Sequence, residues 1–210
     1  MISVDGLILF AAASAVLAIA PGPDNIFVLT HSALHGYRAG LCVTAGLCTG
    51  LLGHIAAVAL GVSALLQTSA FAFVVLKIVG AGYLLYLAWH AFRAGAAPAG
   101  MVSERATRID PRALYLRGVI MNVTNPKVAI FFMAFLPQFI EPDRGAVAVQ
   151  VFVLGMVFMS AALIIFSAIA WCSGRLGRWL GESRRAQSIM NRLAGSVFVL
   201  LAGRLVLSSN

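Results

Sequence analysis

The feature that most constrains this chain is a series of long, nearly charge-free apolar runs. They fall near residues 5–29, 40–65, 70–92, 115–139, 147–173 and 190–207. A run of about 20 apolar residues is long enough to cross the hydrocarbon of a bilayer as a helix. Six such spans use most of the 210 residues and leave only short connections. A water-soluble fold is excluded on the same ground, because charged residues make up 10% of the chain where soluble domains carry about 25%. The expected fold is therefore an all-α integral membrane protein, a single transmembrane domain over 1–210 with lipid as its surrounding partner.

The net charge of +8 raises the question of nucleic acid, whose readers gather basic residues on one accessible face. Here the basic residues follow the spans instead. The loops after the first, third and fifth spans, with their flanks, hold Arg38, Arg93, Arg105, Arg108, Arg112, Arg117, Arg175, Arg178, Arg184, Arg185 and Arg192, against Arg144 and Arg204 toward the other side. Cytoplasmic loops carry the Lys/Arg excess, so those three loops are expected inside and both termini outside, with no nucleic-acid partner. The apolar stretch Leu7 to Ala20 resembles a secretory signal, but no Lys or Arg precedes it and Pro21 follows the would-be cleavage box. It is expected to remain as helix 1. Cys42, Cys48 and Cys172 show no metal-ligand spacing and read as small buried residues.

Gly, Pro and charge between Arg93 and Arg112 divide the chain into two halves, about 1–95 and 113–210, joined by a linker near 96–112. The halves resemble one another. Helix 1 contains Pro21-Gly22-Pro23-Asp24-Asn25 and helix 4 contains Thr124-Asn125-Pro126-Lys127, each a cap-type residue followed by proline and a charge. Gly46 pairs with Gly155, and Lys77-Ile-Val-Gly80 with Arg192-Leu-Ala-Gly195, at offsets that rise along the chain. Three helices per half make the second half run oppositely through the bilayer, which predicts two inverted three-helix repeats with proline-broken helices 1 and 4, a plan common in secondary transporters. Broken backbone is tolerated at membrane depth only where protein buries it or a wet cavity meets it. Pro23 and Pro126 each look like the first residue of a new half-helix, whose free amides suit a carboxylate.

Asp24, Lys127 and Lys77 are the charges inside the expected spans, and each needs a partner or a purpose there. Two readings stand for Asp24 and Lys127. They form a salt bridge that ties helices 1 and 4, or a zwitterionic substrate inserts between them, its ammonium at Asp24 and its carboxylate at Lys127 and the half-helix amides. Asn25, Asn125, Pro23 and Pro126 belong to the same candidate site. Lys77 either snorkels to the interface or reaches the site. His54 either relays protons and contacts substrate or packs as an ordinary core residue. Tyr83, in the small-residue stretch Gly80-Ala-Gly82-Tyr83, is a candidate cavity hydroxyl. His31 and His35 lack a third ligand, and neither a metal nor another cofactor is expected. Gly46-xxx-Gly50 permits close helix packing, within the chain or between the copies of a homodimer.

The motifs Pro21-Gly22-Pro23-Asp24, Lys77-Ile-Val-Gly80-Ala-Gly82-Tyr83-Leu84 and Asn125-Pro126-Lys127 together resemble those of the LysE/RhtB family of amino-acid exporters, over nearly the whole chain. The resemblance implies a six-helix efflux protein of the bacterial cytoplasmic membrane that exports a basic or neutral amino acid or a derivative, driven by protons. A membrane-embedded enzyme is the rival class, but no HExxH, GxSxG or nucleotide-binding glycine loop is present. A cation exporter would find one intramembrane acid a poor counterion. Asp24 is then the expected proton carrier, since one carboxylate holds a proton or a substrate ammonium but not both well.

Overall fold

A computed structural model describes residues 2–68, 70–93, 110–182 and 184–207, without the side chains of 62–73, 76–77, 174–187, 190, 204–205 and 207. The described residues are helical throughout: α1 (Val4–Ile19), α2 (Pro23–His35), α3 (Tyr37–Thr68), α4 (Ala70–Arg93), α5 (Pro111–Val123), α6 (Pro126–Ile130), α7 (Val147–Glu182) and α8 (Arg184–Leu207). A π-helical turn over Phe131–Phe135 and a 3₁₀ turn over Leu136–Phe139 continue α6, and a second 3₁₀ turn spans Pro142–Arg144.

Two segments, Tyr37–Gly61 and Val147–Ser173, are each long and apolar enough to cross a membrane. Two further spans result if each bent pair is counted as one: α1 with α2, bent by 56°, and α5 with Pro126–Phe139, bent by 47°. Both bends occur where the sequence puts proline behind a residue with extended backbone. Gly22 precedes Pro23 in this way, and Asn125 precedes Pro126.

Several helix ends differ from those read off the apolar runs. Helix 1 continues beyond residue 29 to His35, where Gly36 at φ 85° ends it in a conformation that favours glycine. The fifth helix continues past 173 to Glu182, and the sixth begins at Arg184 rather than 190. Hydropathy marks where hydrocarbon ends, whereas a helix carries on into polar sequence until something breaks it. At the start of α5, Asp110 caps the helix by accepting a hydrogen bond from the Arg112 amide at 3.0 Å. Residues 94–109, most of the expected linker, lie outside the described residues.

Glycines set the closest helix contacts. A methyl at Gly46 would overlap the Tyr115 carbonyl oxygen of α5, one at Gly118 would lie 2.6 Å from the Val43 carbonyl of α3, and one at Gly50 would lie 2.8 Å from Asn122 Cβ. The Gly46-xxx-Gly50 face thus serves the contact of α3 with α5 inside the chain. Gly155 of α7 meets the Ile55 side chain of α3 instead, so it is not the packing equivalent of Gly46. Gly195 of α8 packs on the Phe92 ring of α4. Gly82 faces open space, whereas neighbouring Gly80 is buried. Cys42, Cys48 and Cys172 are free thiols and half-buried rather than fully buried.

The face that carries the start of α1 also carries the turn before α7. Ser3 N donates to Glu141 Oε1 at 3.0 Å, and buried Gln150 fixes the turn through the Glu141 amide and carbonyl and the Gly145 carbonyl. Gly46→Ala is expected to lower the thermal midpoint of the detergent-solubilised protein by the equivalent of about 1–3 kcal/mol, the usual cost of overpacking. Gly53→Ala, where a methyl meets nothing, should leave the midpoint unchanged or raised.

Candidate functional site

The site is built on carbonyls that proline has deprived of their helical donors. In an α-helix the carbonyl of residue i accepts from the amide of i+4, and proline has no amide hydrogen. Pro21 and Pro23 therefore orphan the carbonyls of Leu17 and Ile19. The Lys127 ammonium, 7% exposed, donates to Leu17 O at 2.9 Å and to Ala20 O at 3.0 Å. Asn25 Nδ2 turns back to Ala18 O at 2.7 Å and to Ile19 O at 3.4 Å. Lys127, from the other half of the chain, is thus the cap of α1. A cation at a helix C-terminus also gains from the helix dipole.

The second break follows the same rule. Pro126 orphans the carbonyl of Asn122, which accepts from the Asn125 amide at 3.0 Å and from His54 Nε2 at 3.1 Å. Asn125 then works in two directions. Its Oδ1 accepts from the Lys127 amide at 3.0 Å and caps α6, while its Nδ2 donates to Asp24 Oδ2 at 2.8 Å across the two halves.

Among the described residues, Asp24 and Lys127 are the only buried Asp, Glu, Lys or Arg side chains. They do not bond to each other: one Asp24 oxygen takes Asn125, the other has no partner, and the two hydrogen bonds of the Lys127 ammonium go to α1 carbonyls. The direct salt bridge, one of the two readings of the sequence, is therefore not made. Three buried oxygens around the breaks lack a donor: Asp24 Oδ1, Asn25 Oδ1 and Asn122 Oδ1. An unsatisfied set that consists of acceptors suits a ligand that brings N–H groups or a proton.

The two half-helix starts are not alike. The α6 start has its Asn125 cap, whereas Gly22 offers α2 no side-chain cap. A Cβ at position 22 would stand 3.1 Å from Lys127 Nζ, so the ammonium lies against the uncapped start of α2. There the first-turn amides and a cation adjoin, an arrangement that suits an anion.

Of the residues singled out in the sequence, Pro23, Asp24, Asn25, Asn125, Pro126 and Lys127 come together, and His54 joins them through the Asn122 carbonyl. Lys77 is carried by α4, but its side chain lies outside the described residues. Tyr83 is half-buried with its ring stacked on Tyr86 at 5.8 Å, and no hydrogen bond links it to the Asp24 cluster. His31 stacks between Phe27 and His35 along α2. Sequence reasoning missed Asn122, which is 1% exposed. The signal was present, since the residue four before a membrane proline has an orphaned carbonyl and Asn there can pair a polar side chain with it.

Charged residues buried where proline breaks two apolar helices are an arrangement that secondary transporters use at membrane depth. A family model described as "LysE type translocator" matches residues 15–209, and the chain belongs to that family. It is 33% identical over 193 residues to the homoserine/homoserine lactone efflux protein of Salmonella typhimurium, covering 91% of each chain. The corresponding protein of Salmonella typhi is 34% identical over the same shares. The leucine efflux protein of Salmonella choleraesuis is 27% identical over 189 residues, 90% of this chain and 89% of that one. No solved structure matches.

Asn125 separates fold from function. Asn125→Ala removes the α6 cap and the Asp24 partner and should destabilise the solubilised protein by about 1–3 kcal/mol. Asn125→Asp keeps a capping oxygen but sets a second carboxylate against Asp24, so it should retain more of the thermal midpoint than Asn125→Ala yet abolish export. Wild-type export by Asn125→Asp would show that the Asn125–Asp24 bond has no part in transport.

Proposed function

We propose that the protein is a secondary transporter that exports an amino acid or close derivative across the bacterial cytoplasmic membrane in exchange for protons. In this reading six spans form two inverted three-helix repeats with both termini outside, and the substrate binds where the two broken helices meet. The observation that carries it is the buried carboxylate oxygen of Asp24, which has no donor although the nitrogens beside it, Lys127 Nζ, Asn25 Nδ2 and Asn125 Nδ2, are all engaged. That oxygen is the natural place for a substrate ammonium or for a proton.

The names of the relatives support an ammonium anchor. Homoserine, homoserine lactone and leucine differ in side chain, and the lactone has no free carboxylate; a primary amine is what they share. The carboxylate of an amino acid would then lie toward Lys127 and the uncapped start of α2, with Asn25 and Asn125 lining the site. Lys127 already holds two α1 carbonyls, so this second contact is looser than the first.

Mutual exclusion at Asp24 provides the coupling. Facing outward and empty, Asp24 takes a proton, and its neutral carboxyl turns inward while the Lys127 ammonium stays held by the Leu17 and Ala20 carbonyls, so the proton's charge moves with this step. Inside, the proton leaves and the substrate ammonium takes its place. The loaded site turns outward, releases its cargo and takes the next proton. A potential of 100 mV contributes about 2.3 kcal/mol per charge moved, enough for about a 50-fold outward gradient at one proton per zwitterion.

The test is transport of a labelled amino acid into everted vesicles. Substrate affinity on the inward-facing side should weaken as pH falls and Asp24 takes up its proton, and Asp24→Asn should abolish both transport and this pH dependence while the protein still reaches the membrane. Accumulation by the wild type against a substrate gradient, after both the pH gradient and the potential are collapsed, would rule proton antiport out.

A further inference from the structure

His54 touches both sides of the second helix break from a neighbouring span. Its Nε2 lies 3.1 Å from the Asn122 carbonyl, just before Pro126. Its ring packs 5.9 Å from that of Phe132, in the π-helical turn just after α6. A backbone carbonyl can only accept, so the hydrogen in the first contact belongs to Nε2 and the neutral ring is the ε tautomer. The same carbonyl has lost its i+4 helical donor to Pro126.

Those facts bear on what the histidine can do. A relay through Nε2 would have to release that proton, which would leave the Asn122 carbonyl with local backbone amides alone. The free nitrogen, Nδ1, makes no hydrogen bond to Asp24, Asn125 or Lys127, the titratable and polar groups that form the neighbouring network. From His54 the chain of contacts runs through the Asn122 carbonyl to the Asn125 amide, and from the Asn125 side chain to Asp24 Oδ2. We infer that His54 is a positioning residue: it holds the second break in shape with a fixed Nε2–H donor, so that Asn125 presents Asp24 correctly, and it carries no proton in the transport cycle. The inference rests on transport through the Asp24 cluster.

Two variants divide positioning from relay. Glutamine places an amide nitrogen near the position of Nε2 and does not titrate, so His54→Gln should keep substrate affinity within about two-fold of wild type, with the same pH profile of transport. His54→Ala, which leaves the carbonyl short of a donor, should weaken affinity at least about five-fold with that pH profile unchanged. Loss of transport or an altered pH profile in His54→Gln would overturn the inference, as would wild-type affinity in His54→Ala. Nitrogen-15 spectra of histidine-labelled wild-type protein at pH 8 give a readout independent of transport. The ε tautomer for His54 is expected, and the δ tautomer would overturn the assignment. Should Asp24→Asn leave the pH dependence of transport intact while the Gln/Ala contrast and the ε tautomer hold, the antiport reading fails and the positioning role of His54 stands.

Discussion

Proline breaks that take the helical donors away from buried backbone carbonyls govern how these helices meet. Proline at 21, 23 and 126 removes the amides that Leu17, Ile19 and Asn122 would otherwise use. In hydrocarbon each unsatisfied group would cost several kcal/mol. The answer is a set of long or polar side chains that reach in from elsewhere: Lys127 and Asn25 for the end of α1, His54 for the end of α5. The transport chemistry we propose uses what this arrangement leaves over. Asn125 holds one oxygen of Asp24, and the other stays open at the meeting of the two halves.

Aromatic side chains pack against the breaks on one side. Phe10, Phe131, Phe132, Phe135, Phe139 and Phe158 are all buried, with ring centroids 4.9–6.5 Å apart in contacting pairs. They fill the region between the breaks and the face where Ser3 meets Glu141. Toward the other end, α3 and α5 approach through Gly46, Gly50 and Gly118, and Gly40 lets α3 approach Ser32 of α2 and Ala170 of α7. Aromatic bulk thus lies on one side of the breaks and glycine-mediated helix contacts on the other.

Much of this was legible in the sequence because it depends on residue type and spacing. Apolar runs locate the long helices, the paired proline–charge motifs locate the breaks, and burial of Asp24 and Lys127 follows from their position inside those runs. What the sequence does not state is which carbonyl a donor serves. Lys127 therefore reads as a partner for a carboxylate, when its two hydrogen bonds are to Leu17 and Ala20. His54 likewise reads as a relay or a packing residue until Asn122 is found at its tip. Helix ends at Glu182 and Arg184 were hidden because arginine ends an apolar run without ending a helix. Asn122 was within reach, had the residue four before each proline been examined for what its carbonyl would lack.

A double-mutant cycle between positions 21 and 127 shows whether Lys127 is held in place by a carbonyl that proline orphans. Pro21→Ala restores an amide four residues after Leu17, so the Leu17 carbonyl gains a donor of its own. Thermal unfolding in detergent should then show that Lys127→Met is less destabilising in the Pro21→Ala background than in the wild type, by about 1 kcal/mol or more. Strictly additive effects of the two substitutions would contradict the account.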